Sequence, residues 1–144
     1  FIQYYFEHRT VHTRLYERAG EALGALHSAG VRLAVLTNKP VRISKAILND
    51  LGVDGLFFQV YGGNSFPEKK PHPMGLQALL EEAGAEAGRA LMVGDSAVDV
   101  KTARNAGVAA CGVSFGFQPD TFAQEPPDVV IDHMDELPRL VLEL

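Results

Sequence analysis

Residues 90–113 read ALMVGDSAVDVKTARNAGVAACGV, and this stretch decides the fold. Ala90–Val93 is a short apolar run of strand length. Val98–Ala106 carries apolar residues at helical spacing, and Gly107 stands where a helix C-terminal cap belongs. Val108–Val113 is apolar again. Two strands joined through a helix lie parallel, because a tight hairpin is not available to them.

Working outward, the same alternation repeats. Toward the N-terminus, Ala19–Ala29 places Ala22, Leu23 and Leu26 on one helical face, with Gly30 closing it, and Val31–Leu36 is a branched apolar strand. Val41–Leu51 is helical with Ile43, Ile47, Leu48 and Leu51 on one side, Phe57–Tyr61 is a strand, and Met74–Ala83 is a helix ended by Gly84. Toward the C-terminus, Asp128–Ile131 is a short strand before a last helix from about Asp135. The order predicts an α/β domain, a parallel sheet with right-handed crossovers and helices on both faces. Ligands of such sheets bind beyond the carboxyl ends of the strands. The first residues differ: Tyr4, Tyr5, His8, His12 and Leu15 suit an amphipathic helix with no strand before it.

The 144 residues suit one domain, with 47% hydrophobic and 22% charged residues. A formal net charge of -5 argues against a nucleic-acid partner. The apolar runs are too short to span a bilayer, so no membrane partner is expected. The one cysteine, Cys111, makes no internal disulfide, which fits a reducing compartment and a cytoplasmic placement. No feature of the sequence sets an oligomeric state.

Three loops carry candidate chemistry. The first is Leu36-Thr37-Asn38-Lys39-Pro40, where a Thr hydroxyl and the N–H groups of a helix start can donate to a phosphate. Thr and Asn are equally good helix caps, and Pro suits a first turn. The second is Pro67-Glu68-Lys69-Lys70-Pro71-His72-Pro73, whose prolines hold a lysine in an extended loop. Its plain alternative is a solvated basic turn. The third is Gly94-Asp95-Ser96-Ala97-Val98-Asp99, with Asp95 at a strand tip and Asp99 about one helical turn on. Paired carboxylates near a phosphate are what a hard cation such as Mg²⁺ takes. Helix capping accounts for one of the two aspartates but makes the pair a coincidence. All three loops follow strands in order and converge at one sheet edge.

These residues resemble the haloacid-dehalogenase superfamily, whose phosphatases carry four ordered motifs. Thr37 with Asn38 resembles the second, Lys70 the third, and Gly94-Asp95-Ser96 with Asp99 the fourth. "LAVLTNKP", "VYGGNSFPEKKPHP", "ALMVGDSAVDVKTARNAG" and "GVSFGF" are similar to the phosphoglycolate phosphatase branch. The resemblance implies a Rossmann-like core over residues 16–144 and the end of a helical cap domain over residues 1–15. It implies a Mg²⁺-dependent phosphatase of a small phosphorylated metabolite, with 2-phosphoglycolate the leading candidate, acting through a phospho-aspartyl intermediate. Thr37 and the Asn38 backbone would hold phosphoryl oxygens, Lys70 would neutralise charge, and Asp95 would bind Mg²⁺. Asp99 would support the metal or orient Lys70.

The family's first motif, an Asp-x-Asp that supplies the nucleophile, does not occur in these residues. The resemblance places it, with the central strand of the sheet, before Phe1. The chain is therefore expected to lack its central strand, to be a piece of a longer protein, and to be inactive alone. Glu17-Arg18 and Asn64 also depart from the branch, which usually has Pro-Gly and Asp there. A phosphosugar mutase or pyrophosphatase of the superfamily, or a non-catalytic domain that binds phosphate or a partner, are the alternatives. His8 and His12 have a zinc-compatible spacing without a third ligand and are read as surface or packing residues. Cys111 is read as a buried hydrophobe, His72 as a turn residue, and Phe115 and Phe117 as either core or substrate-entrance residues.

Overall fold

The computed structural model describes residues 2–4, 19–115 and 119–142. Its strands are β1 (Ile2–Tyr4), β2 (Leu33–Leu36), β3 (Phe57–Tyr61), β4 (Leu91–Gly94), β5 (Ala109–Val113) and β6 (Val129–Ile131). Its helices are α1 (Ala19–Ser28), α2 (Val41–Asp50), α3 (Met74–Ala83), α4 (Ala97–Ala106) and α5 (Glu136–Leu142). From residue 19 onward each predicted helix and strand is present, and the edges shift for local reasons. The first predicted strand starts at Leu33 because the Val31 N–H bonds back to the Leu26 carbonyl at 3.0 Å, closing the end of α1.

The six strands form one sheet in the order β3-β2-β1-β4-β5-β6, each pair parallel. β2 and β4 are buried along their whole length, as strands covered on both faces must be. Alternate side chains then serve opposite cores. Leu33, Val35, Leu91, Val93, Cys111 and Val113 pack with Leu23 and Leu26 of α1, Leu48 of α2 and Leu137 of α5. Ala34, Leu36, Met92 and Ala110 pack with Leu76 and Leu79 of α3 and Val100 and Ala103 of α4. No helix among the described residues is long and apolar enough to cross a membrane.

One expectation is corrected. The sheet does not lack a central strand: Ile2–Tyr4 lies between β2 and β4, with Gln3 opposite both Ala34 and Met92. These residues are therefore strand, where a helix was expected. Two facing edges of unpaired N–H and C=O groups template an extended segment, and that pairing outweighs a local helical period. The remaining residues of the expected cap helix, His8 and His12 among them, lie outside the described residues, as do Glu17 and Arg18.

The strand order reverses between β1 and β4. That reversal is the topological switch point, where open α/β sheets form their ligand crevice at the carboxyl ends of the strands. The loop after β2 and the loop after β4 flank it.

Candidate active site

Thr37 follows directly on β2, and its N–H continues the ladder by donating to the Tyr61 carbonyl at 3.0 Å. Its side chain is buried, and Oγ1 accepts the Lys39 N–H at 3.2 Å. That bond uses a lone pair and not the hydroxyl proton, which remains a donor. The loop lies directly on Gly62 and Gly63. A Cβ on Gly63 would sit on the Asn38 carbonyl oxygen, and one on Gly62 on the Val41 nitrogen, so only glycines permit this approach. The Gly63 N–H donates to the Lys39 carbonyl at 2.7 Å. Asn64 Oδ1 accepts the Val41 N–H at 2.9 Å, supplying from outside a cap that Pro40 lacks at the start of α2.

On the other side of the switch point, β4 ends at Gly94, and Asp95, Ser96 and Asp99 are all buried. A Cβ on Gly94 would occupy the space of the Asp99 carboxylate, so the glycine admits that side chain under the loop. Asp99 Oδ2 accepts the Asp95 N–H at 3.0 Å and lies 3.5 Å from Ser96 Oγ. This is an acid in the first turn of α4 reaching back to the chain before the helix, in the manner of a capping box. Ser96, the N-cap residue, makes no side-chain cap bond, and Thr121 Oγ1 takes the Ala97 N–H at 2.8 Å. Capping thus explains part of Asp99, but its second oxygen points elsewhere.

That oxygen, Oδ1, lies 2.6 Å from Lys70 Nζ, with both side chains 2% exposed. A buried ion pair of this kind is costly to desolvate and is held only by good geometry. The Lys70 main chain is held too: Asn38 Oδ1 accepts its N–H at 3.1 Å, and Asn38 Nδ2 donates to its carbonyl at 3.3 Å. The Pro71 carbonyl accepts from Asn105 Nδ2 at 2.9 Å. A continuous series of contacts therefore runs from Asn38 through Lys70 and Asp99 to the Asp95 backbone.

Of the five residues singled out in the sequence, Asn38, Lys70, Asp99 and the Asp95 backbone are thus linked by hydrogen bonds, and Thr37 adjoins Asn38 at the end of β2. His72 is a turn residue, its Nδ1 accepting the Met74 N–H at 3.1 Å. Cys111 is buried, and burial pushes its thiol up to about 12, so it is no nucleophile near neutral pH. Phe115 packs against the α1–α5 core, while Phe117 lies outside the described residues. Sequence reading missed Asn105 and Thr121, distant side chains that no local motif connects to the site.

Mg²⁺ binds hard oxygen donors and is satisfied by one or two carboxylates, with water and substrate oxygens completing its shell. Among the described residues no three His, Cys, Asp or Glu side chains gather into a metal cage. Asp95, at a strand tip with Asp99 behind it, fits the sparser requirement of Mg²⁺.

A model of haloacid dehalogenase-like hydrolases matches residues 1–113. The chain belongs to the haloacid dehalogenase-like hydrolase family. Among its relatives in that family, the phosphoglycolate phosphatase of Vibrio vulnificus strain YJ016 is 40% identical over 131 residues, covering 90% of this chain and 58% of the relative. That of Neisseria gonorrhoeae is 36% identical over 141 residues, covering 95% of this chain and 60% of the relative. The crystal structure of a predicted phosphoglycolate phosphatase from Haemophilus somnus superposes with a TM-score of 0.84 at 38% identity, covering 88% of this chain and 57% of that one. The chain thus spans about three-fifths of the length of these family members.

Proposed function

We propose that these residues form the phosphate- and Mg²⁺-binding side of a phosphomonoester hydrolase that acts on a small phosphorylated metabolite, with 2-phosphoglycolate the first candidate. The observation that carries this reading is the contact series from Asn38 through Lys70 to Asp99, which joins the loops on both sides of the switch point. The names of the 36–40% identical relatives support the substrate.

In this reading the Thr37 hydroxyl and the Asn38 N–H donate to phosphoryl oxygens. The Lys70 ammonium offsets charge that builds on the phosphoryl group and the attacking carboxylate. Asp99, whose oxygens already serve Lys70 and the Asp95 N–H, chiefly orients Lys70 and braces Asp95. Asp95 would hold Mg²⁺, with Asp99 behind it. The bound cation supplies positive charge to the phosphoryl oxygens, where positioning and electrostatics dominate the chemistry. The nucleophile is an aspartate of an Asp-x-Asp pair, which these 144 residues do not contain. The reading therefore assigns it to sequence outside them and predicts that residues 1–144 alone do not turn over. The buried Cys111 thiol is compatible with a cytoplasmic setting.

The test is phosphate release from 2-phosphoglycolate by a longer protein that joins an upstream Asp-x-Asp segment to this sequence. Release that requires Mg²⁺, and that falls by at least about a hundredfold on Lys70→Ala or Asp95→Asn, is expected. Turnover unchanged in both variants would remove the proposed site. Mg²⁺-dependent phosphate binding without turnover in the longer protein would instead favour a non-catalytic phosphate-binding domain.

A further inference from the structure

Lys70 sits in a loop between Pro67 and Pro73 that belongs to no helix or strand, yet it is only 7% exposed. A long, flexible side chain on an irregular loop does not hold an ammonium to a fraction of an ångström unless its backbone is also fixed. Asn38, remote in sequence and in the loop after the neighbouring strand β2, supplies that fixation. Its carboxamide bonds both main-chain groups of the one residue, Oδ1 with the Lys70 N–H at 3.1 Å and Nδ2 with the Lys70 carbonyl at 3.3 Å. An N–H demands an acceptor and a carbonyl a donor, so the orientation of the amide is determined by its partners. The side chain does for Lys70 what a neighbouring strand does for a strand residue.

Asn38 is itself anchored. The Thr37–Lys39 turn is closed by Thr37 Oγ1 at 3.2 Å from the Lys39 nitrogen and rests on Gly63, whose N–H holds the Lys39 carbonyl at 2.7 Å. On the far side Asn105 Nδ2 holds the Pro71 carbonyl at 2.9 Å.

We infer that the Asn38 side chain is a positioning residue for Lys70, a role separate from any contact of the Asn38 backbone with phosphate. The inference rests on the reading of Lys70 as a phosphate ligand only for its functional consequence. An aspartate at position 38 keeps the acceptor for the Lys70 N–H but turns a second oxygen toward the Lys70 carbonyl. Alanine loses both bonds.

Two measurements on residues 1–144 test this. The first needs no ligand: amide hydrogen exchange of Lys70, followed by NMR. Asn38→Ala is expected to speed exchange at Lys70 by about tenfold or more, the equivalent of one lost hydrogen bond. Asn38→Asp should give a smaller change, and the Met92 and Val93 amides should be unmoved in both. Lys70 exchange unchanged in Asn38→Ala, or a rise shared equally by Met92 and Val93, overturns the inference.

The second is titration calorimetry with inorganic phosphate in the presence of Mg²⁺. Asn38→Ala is expected to weaken binding about tenfold. Because the side chain acts through Lys70, the Asn38→Ala/Lys70→Ala double variant should bind no more weakly than Lys70→Ala alone. Losses that add would show that Asn38 meets phosphate independently and would sink the positioning role. Absence of phosphate binding by the unmutated chain would count against the phosphatase reading, while the exchange result would still decide the role of Asn38.

Discussion

Asp99 shows how much one carboxylate does in this protein. It accepts the Asp95 N–H with one oxygen and faces the Lys70 ammonium at 2.6 Å with the other, at 2% exposure. Removing it takes away the carboxylate 2.6 Å from a buried ammonium and the acceptor of a buried N–H. Asp99→Ala is therefore expected to destabilise the fold by about 3–5 kcal/mol, measured by urea unfolding. A loss under about 1 kcal/mol would mean that the pair is solvated. The position of Asp99 was legible in the sequence, because four residues after a strand tip returns a side chain to that tip. Its partner was named only through the family resemblance, since Lys70 is 29 residues away and no local signal joins the two.

At the scale of elements, the starts of α2 and α4 are capped by borrowed groups. The first N–H of α2 is satisfied by Asn64 at 2.9 Å, from the turn after β3. Asn64→Ala is expected to cost about 1 kcal/mol in thermal or urea unfolding. Asn64→Asp should retain the acceptor and gain up to about 1 kcal/mol from the helix dipole. An equal loss from both would show that the carboxamide has a different role.

Elsewhere, Asp128 joins α4 to β5, its Oδ2 lying 2.7 Å from both Arg104 Nη1 and the Ala110 nitrogen. The Arg104 guanidinium and the Ala110 N–H hold its carboxyl below the usual carboxylate range. A depressed folded-state value means that the contribution is present above the unfolded value near 3.9 and is lost as pH falls through the folded one. Both partners are substantially exposed, so screening limits it to about 1 kcal/mol or less. The difference in urea midpoint between the native protein and Asp128→Asn should stay constant at neutral pH and shrink as acidification protonates the folded carboxyl. A difference that grows on acidification would contradict this sign.

At the scale of the molecule, the placement of Ile2–Tyr4 makes the sheet continuous across the switch point. Gln3 pairs with a strand on each side, so Gln3→Pro removes a ladder donor at the centre of the sheet. It is expected to cost about 1–3 kcal/mol, and more if the ring also displaces a neighbouring strand. Unchanged stability by urea unfolding would show that this segment adds nothing to the sheet.

The sequence by itself determined the strand–helix alternation from residue 19 onward, and with it the end of the sheet where the site lies. Strand runs such as Leu33–Leu36 and helix caps such as Gly84 and Gly107 are local signals, written in a few adjacent residues. The five candidate residues were legible for the same reason, since each follows a strand or a proline-bounded loop. Only the tertiary structure decided the central strand, the Asn38 grip on Lys70, and the caps that Asn64 and Thr121 provide. Each depends on partners far apart in the chain, and the Ile2–Tyr4 segment is strand because two neighbours offer it hydrogen bonds. A local period cannot report a partner, and in this protein the chemistry lies where such partners meet.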